Sequence, residues 1–290
     1  MKAFSLVLAL CGLASALADP VPTEAPSTPA ADIMSMNQDA RCGQVLVTCL
    51  INGVPMRMML DTGATHTVLH TESASRVPEV QWLDTSKMQF RGNSTQHPKL
   101  FLASLQTGPA QSPVHAFMVM DLGAVRSMMA EKIDGILGMD ILKFLPFTFN
   151  LRTGEFYWGI PADAELVPLH AEPDHTGRVI VLGKSGEKTA RMLLDTGSSV
   201  TRIATGQWAP GAGAEIRAQI GDIDQRSGIM ALEGAPGNLE LAPGVIISGF
   251  TPLLCEADES PMLGMDALKG QILVHIPTED SPAGLFLLAK

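Results

Sequence analysis

Aromatic residues are scarce in this chain, with one tyrosine, three tryptophans and ten phenylalanines in 290 residues. That argues against a carbohydrate-cleaving cleft, which stacks sugars on aromatic platforms and holds its two carboxyl groups about 5 Å or more apart. Cysteine is scarce too, at four, and no two have the Cys-x-x-Cys spacing of a zinc ribbon or a redox dithiol. Lysine and arginine together number 20 against 30 acidic residues, for a net charge of -10. A surface of that sign repels phosphate, so nucleic acid is excluded as a partner. Beyond the first residues no apolar run is long enough to cross a bilayer, and no membrane span is expected. His66 and His70 stand four apart in a strand-like stretch, which separates their side chains by about 13 Å, too far for one ion. No metal and no cofactor is expected.

The first residues place Lys2 before an apolar run that closes on Ala16-Leu17-Ala18. This pattern predicts a signal peptide over 1–18, and with it a secreted or periplasmic protein. Residues 19–40 are rich in Pro, Ala, Ser and Thr without apolar periodicity and read as a disordered tether. Among the remaining cysteines, Cys42 and Cys49 are an odd seven positions apart in a strand-like run, so their side chains should leave opposite faces. Cys255 bridging either of them, or all three as small buried thiols, are both open.

From Arg41 the text becomes short runs of Val, Leu, Ile, Met and Thr, punctuated by Gly, Pro, Asn and Asp every ten or so residues. This is the pattern of an all-β chain. Asn52-Gly53 and Ser185-Gly186 are each expected to form a tight hairpin turn. The chain also repeats itself. "RMMLDTGATHTVL" from Arg57 and "RMLLDTGSSVTRI" from Arg191 are identical at seven of thirteen positions, 134 apart. "GILGMDILKF" from Gly135 and "PMLGMDALKG" from Pro261 are identical at six of ten, 126 apart. Each is followed by a Gly-led apolar strand. The repeat predicts two units, 41–162 and 163–290.

Asp-Thr-Gly after an apolar strand, with a trailing apolar-Leu-Gly, resembles the active-site loop and structural signature of the aspartic proteases, the pepsin and retropepsin group. The likeness runs from about Arg41 to the C-terminus. It implies two homologous β-barrel lobes related by a pseudo-two-fold axis, a substrate cleft between them, and one carboxyl from each. Peptide hydrolysis without a covalent intermediate needs a general base to activate water and a general acid for the departing amine. Two adjacent carboxyls sharing one proton supply both, and one unit supplies only one carboxyl.

Asp61 and Asp195 are therefore the expected catalytic dyad. Gly63 and Gly197 let the backbone turn its N–H groups onto the carboxylates. The resemblance implies that Thr62 and Thr196 bond across the axis to the opposite loop, and that Ser198 places a hydroxyl beside its carboxylate where Ala64 cannot. Asp140 and Asp266 read as N-cap or first-turn residues of short helices. Trp82 and Trp208 read as packing residues.

Each middle segment should carry a flap hairpin. In the first half the tip is assigned to Arg91–Thr95, with Arg91, Gly92 and Asn93 facing substrate; in the second it is Gly221–Gly228, with Gly221, Asp222 and Ile223. The sole tyrosine, Tyr157, lies far from either flap, so the pattern is closer to two fused retropepsin-like units than to a pepsin. The expected partner is a polypeptide substrate, cut by an exported endopeptidase that is a monomer with an intramolecular site. A dimer that builds the site at its interface, and a non-catalytic peptide-binding module on the same fold, are the alternatives.

Overall fold

A computed structural model describes residues 43–85, 99–129, 131–162, 165–222, 225–256, 260–278, 281 and 284–289. The leader, the tether, Cys42, the first flap tip at Arg91–Thr95 and Ile223 lie outside the described residues.

The first half contains β1 (Leu46–Ile51), β2 (Val54–Leu60), β3 (Val68–His70), β4 (Gln81–Leu83), β5 (Lys99–Thr107), β6 (Ala110–Met120), β7 (Gly135–Leu137), β8 (Phe147–Asn150) and β9 (Glu155–Trp158). The first seven form one sheet in the order β1-β2-β7-β3-β6-β5-β4. An added pairing of β1 with β5, through Leu50 opposite Gln106, closes the first six of these strands into a barrel. Alternation fills it: Val47, Cys49 and Ile51 of β1, and Met56, Met58 and Leu60 of β2, all point inward and are buried. The outward residues Leu46, Met59, Val68, Met118 and Ile136 are buried too, in a second cluster packed against the turn of helix Gly123–Met128.

The second half runs through β10 (Leu166–Pro168), β11 (Ala171–Pro173), β12 (Val179–Ser185), β13 (Lys188–Leu194), β14 (Arg202–Ala204), β15 (Ala212–Asp222), β16 (Gln225–Gly234), β17 (Gly237–Ala242), β18 (Val245–Phe250), β19 (Leu253–Cys255), β20 (Met262–Leu263), β21 (Ile272–Ile276) and β22 (Leu285–Ala289). Ala190, Met192 and Leu194 repeat, 134 positions on, the buried side of Met56, Met58 and Leu60. The ring here stays open. What the first half does with the unbroken hairpin β5–β6, the second divides between the hairpins β15–β16 and β17–β18. Ala235-Pro236 separates β16 from β17 and Thr251-Pro252 separates β18 from β19, because proline withholds a ladder donor.

A third sheet joins the halves in the order β10-β22-β21-β8-β9. Its central step pairs β8 of the first half with β21 of the second, Leu273 opposite Phe149. The molecule is thus a mostly β, two-lobe acid-protease fold, with the two units the repeat predicted and the lobes the resemblance implied.

Three local expectations need correction. Asn52 and Gly53 do form the first turn, both at positive φ (44° and 78°). The second turn falls one residue later than expected: Ser185 pairs with Lys188, leaving Gly186-Glu187 central, with Gly186 at φ 59°. Trp208 is fully buried, but Trp82 is 51% exposed and rests edge-on against Phe101. The third, at Ser198, belongs to the site.

Candidate active site

Each Asp-Thr-Gly follows the buried end of a strand. Leu60 pairs in parallel with Leu137, and Leu194 with Leu263, so each loop leaves its strand beside the Leu-Gly of its own half. The carbonyls of Leu137 and Leu263 each accept the next N–H, from Asp61 and Asp195, at 3.0 Å. A Cβ on Gly138 would lie 2.6 Å from the His66 carbonyl oxygen, and one on Gly264 2.6 Å from the Val200 carbonyl carbon. Only glycine lets these chains cross so closely.

A threonine and an aspartate brace each crossing. Thr67 donates its N–H and its hydroxyl to the two oxygens of Asp140, both at 2.8 Å, and accepts from Gly138 N–H at 3.2 Å. Thr201 donates both groups to Oδ1 of Asp266, at 2.9 and 2.5 Å, and accepts from Gly264 N–H at 2.9 Å. Asp140 and Asp266 do sit in the first turns of short helices. Their main partners, however, are these threonines, which sequence reasoning missed. The signal was present: both threonines stand six residues after the loop aspartate in the aligned repeats.

The two loops meet. Thr62 N–H donates to Thr196 Oγ1 at 3.1 Å, and Thr196 N–H to Thr62 Oγ1 at 3.1 Å. Thr62 Oγ1 donates to the Leu194 carbonyl at 2.8 Å, and Thr196 Oγ1 to that of Leu60 at 3.0 Å. Both threonines are buried and satisfied across the axis. The glycines come closer still. A Cβ on Gly63 would lie 2.6 Å from the carboxyl carbon of Asp195, and one on Gly197 2.5 Å from that of Asp61.

Asp61 Oδ1 accepts from Gly63 N–H at 2.8 Å and Ala64 N–H at 3.0 Å; Asp195 Oδ1 accepts from Gly197 N–H at 2.9 Å and Ser198 N–H at 3.0 Å. Each carboxyl thus stands against the opposite loop's glycine, close enough for the two to act on each other. Burial, reinforced by the Asp195 charge, raises Asp61 well above the ordinary carboxylate range. Burial raises Asp195 as well, against backbone donors from Gly197 and Ser198 and the nearby Arg202 charge. Such a pair titrates as one unit and retains a proton where isolated carboxyls have lost theirs.

Ser198 supports Asp195 through its N–H, while its hydroxyl donates to the Val200 carbonyl at 2.9 Å. The hydroxyl is therefore spent on the loop's own backbone and not on the carboxylate as the resemblance implied. Of the second flap, Gly221 and Asp222 lie at the end of β15, opposite Arg226 and Gln225.

No curated protein matches this chain. Residues 47–141, which hold the first Asp-Thr-Gly and the first Leu-Gly-Met-Asp, match the family model described as aspartyl protease.

Proposed function

We propose that this protein is an aspartic endopeptidase of two fused retropepsin-like units, exported after removal of its leader, with Asp61 and Asp195 as the catalytic pair. The family match over residues 47–141 supports protease chemistry. One observation carries the catalytic pair: two carboxyls 134 positions apart are brought together, each against the other loop's glycine.

In this reading one carboxylate takes a proton from water as its oxygen attacks the scissile carbonyl. The protonated partner gives its proton to the carbonyl oxygen. As the tetrahedral diol collapses, the C–N bond breaks: one carboxyl gives its proton to the departing nitrogen while the other takes a proton from a diol hydroxyl, which becomes the product carbonyl, so the dyad is again singly protonated. The backbone donors at each Oδ1 hold the carboxyls in place at no reorganisation cost. An extended polypeptide lying in the cleft under the hairpin β15–β16, whose end carries Gly221 and Asp222, is the substrate class that suits such a site.

The test is cleavage of a denatured protein by the purified chain between about pH 3 and pH 7, with Asp61→Asn and Asp195→Asn beside it. Each variant should lose roughly 10²–10⁴-fold or more in kcat/KM while melting cooperatively. Full turnover in both variants would refute the dyad.

A further inference from the structure

Seventeen residues before each loop aspartate, at the entry to the hairpins β1–β2 and β12–β13 that lead into the loops, stand Gln44 and Arg178. Neither belongs to a motif. Both reach across the axis to the same acceptor in the opposite loop. Gln44 Nε2 donates to the carbonyl of Gly197 at 3.3 Å, and Arg178 Nη1 to the carbonyl of Gly63 at 3.2 Å.

Those carbonyls are half of a peptide group whose other half touches the dyad. The peptide that presents the Gly63 oxygen to Arg178 presents the Ala64 N–H to Asp61 Oδ1. The peptide that presents the Gly197 oxygen to Gln44 presents the Ser198 N–H to Asp195 Oδ1. A planar peptide cannot move one end without the other. A donor on its oxygen also polarises it, strengthening the N–H as a donor, and a cation does so more than a neutral amide.

Arg178 is itself tied down. It is 7% exposed, and Asp174 receives its Nε at 3.0 Å and its Nη2 at 2.8 Å. Thr176 adds its N–H to Asp174 at 2.7 Å. Burial works to raise the Asp174 carboxyl, but the Thr176 and Arg178 donors and the guanidinium charge hold it below the usual range.

We propose that Arg178 is a positioning residue for Asp61, acting through the Gly63–Ala64 peptide, and that Gln44 is its weaker, uncharged counterpart for Asp195. The proposal rests on the protease reading only for its kinetic consequences. Each lobe thereby orients the carboxyl of the other, and the two carboxyls are oriented with unequal strength. Among the described residues the charges acting on the dyad are the carboxyls on each other and Arg202 on Asp195, while Arg178, paired with Asp174, reaches the dyad through the Gly63 carbonyl.

The experiment compares the full chain with Arg178→Gln, Arg178→Lys and Gln44→Arg. Asp174→Asn/Arg178→Gln is added because Arg178→Gln alone leaves Asp174 buried without its cation. Aspartate carboxyl carbons are followed by ¹³C NMR titration, assigned with Asp61→Asn and Asp195→Asn, and kcat and KM are measured separately across pH. Removing the cation weakens donation to ionised Asp61, so Asp61 should titrate at higher pH in Arg178→Gln and in the double variant. Arg178→Lys should restore part of that shift. Gln44→Arg should move Asp195 to lower pH. kcat should fall roughly 10–100-fold on loss of Arg178, with KM nearly constant.

A cooperatively melting double variant with both carboxyl titrations in place would overturn the proposal, as would Gln44→Arg leaving Asp195 unmoved. A wild-type chain that cleaves nothing at any pH would sink the protease reading. The titrations would still decide the role of Arg178.

Discussion

The two lobes carry the same loop on different scaffolds. In the first, one long hairpin closes the barrel, and the brace behind the loop includes a histidine: His115 Nε2 stands 3.3 Å from Asp140 Oδ2. In the second, two proline-separated hairpins leave the ring open, and Asp266 has Thr201 and Ala267 as its donors. The carboxyls respond differently. Burial pushes both upward, but His115 and Thr67 bring Asp140 below the ordinary range, while Asp266 stays above it. What the lobes share is therefore confined to backbone crossings that glycine and threonine permit. What surrounds those crossings is free to differ.

The sharpest test of the shared part is to put a methyl on each glycine. Gly63→Ala and Gly197→Ala should both abolish cleavage, since the new Cβ falls at 2.6 and 2.5 Å from the opposite carboxyl carbon. Each should also cost about 1–3 kcal/mol in denaturant unfolding. Unequal losses would mean that one loop can retreat and the other cannot.

The braces should break unequally. Asp140 uses both oxygens as acceptors, so Asp140→Asn turns an amide N–H₂ against a donor and should cost about 1–3 kcal/mol. Asp266 concentrates its three described bonds on Oδ1, so Asp266→Asn can keep that oxygen in place and should cost under about 1 kcal/mol. Denaturant midpoints of the two variants would reverse the comparison if Asp266→Asn proved the worse.

A pH series on the dyad comes next. Both carboxyls are raised in the folded protein, so their contribution to stability is full below the unfolded carboxylate range. It is lost as pH rises through the folded values. Asp61→Asn should therefore melt higher than wild type near neutral pH, by about 2–4 °C for each kcal/mol recovered, with the gap closing under acid. A gap that widened under acid would contradict the raised pair. The smallest effect is expected from Ser198→Ala, which makes the second loop match Ala64. The lost bond is to the Val200 carbonyl, so stability should fall by about 1 kcal/mol while the pH profile of cleavage stays where it was.

The loop chemistry was legible because it is written in residue types with few substitutes. Glycine at 63, 138, 197 and 264 answers a distance that no side chain tolerates. Threonine at 62 and 196 must both donate and accept in a buried place. The Thr67 and Thr201 braces lay equally open to alignment, but one threonine among many carries no mark of its partner. Gln44 and Arg178 were hidden more thoroughly, since their kinship is of position and reach and not of residue type. Of the central sheet, β9 and β22 were legible as Gly-led apolar strands, but the pairing that joins the halves was not. β8 and β21 are ordinary apolar runs, and nothing in either names the other as its neighbour.

The exchange of hydrogen bonds between Thr62 and Thr196 has a kinetic corollary. Because each lobe completes the other's loop, the reactive geometry exists only once the two lobes have docked. In an intact chain that event is unimolecular. A single backbone nick between the lobes would turn it into a bimolecular encounter, and turnover would then fall with dilution in a way the unbroken polypeptide never shows.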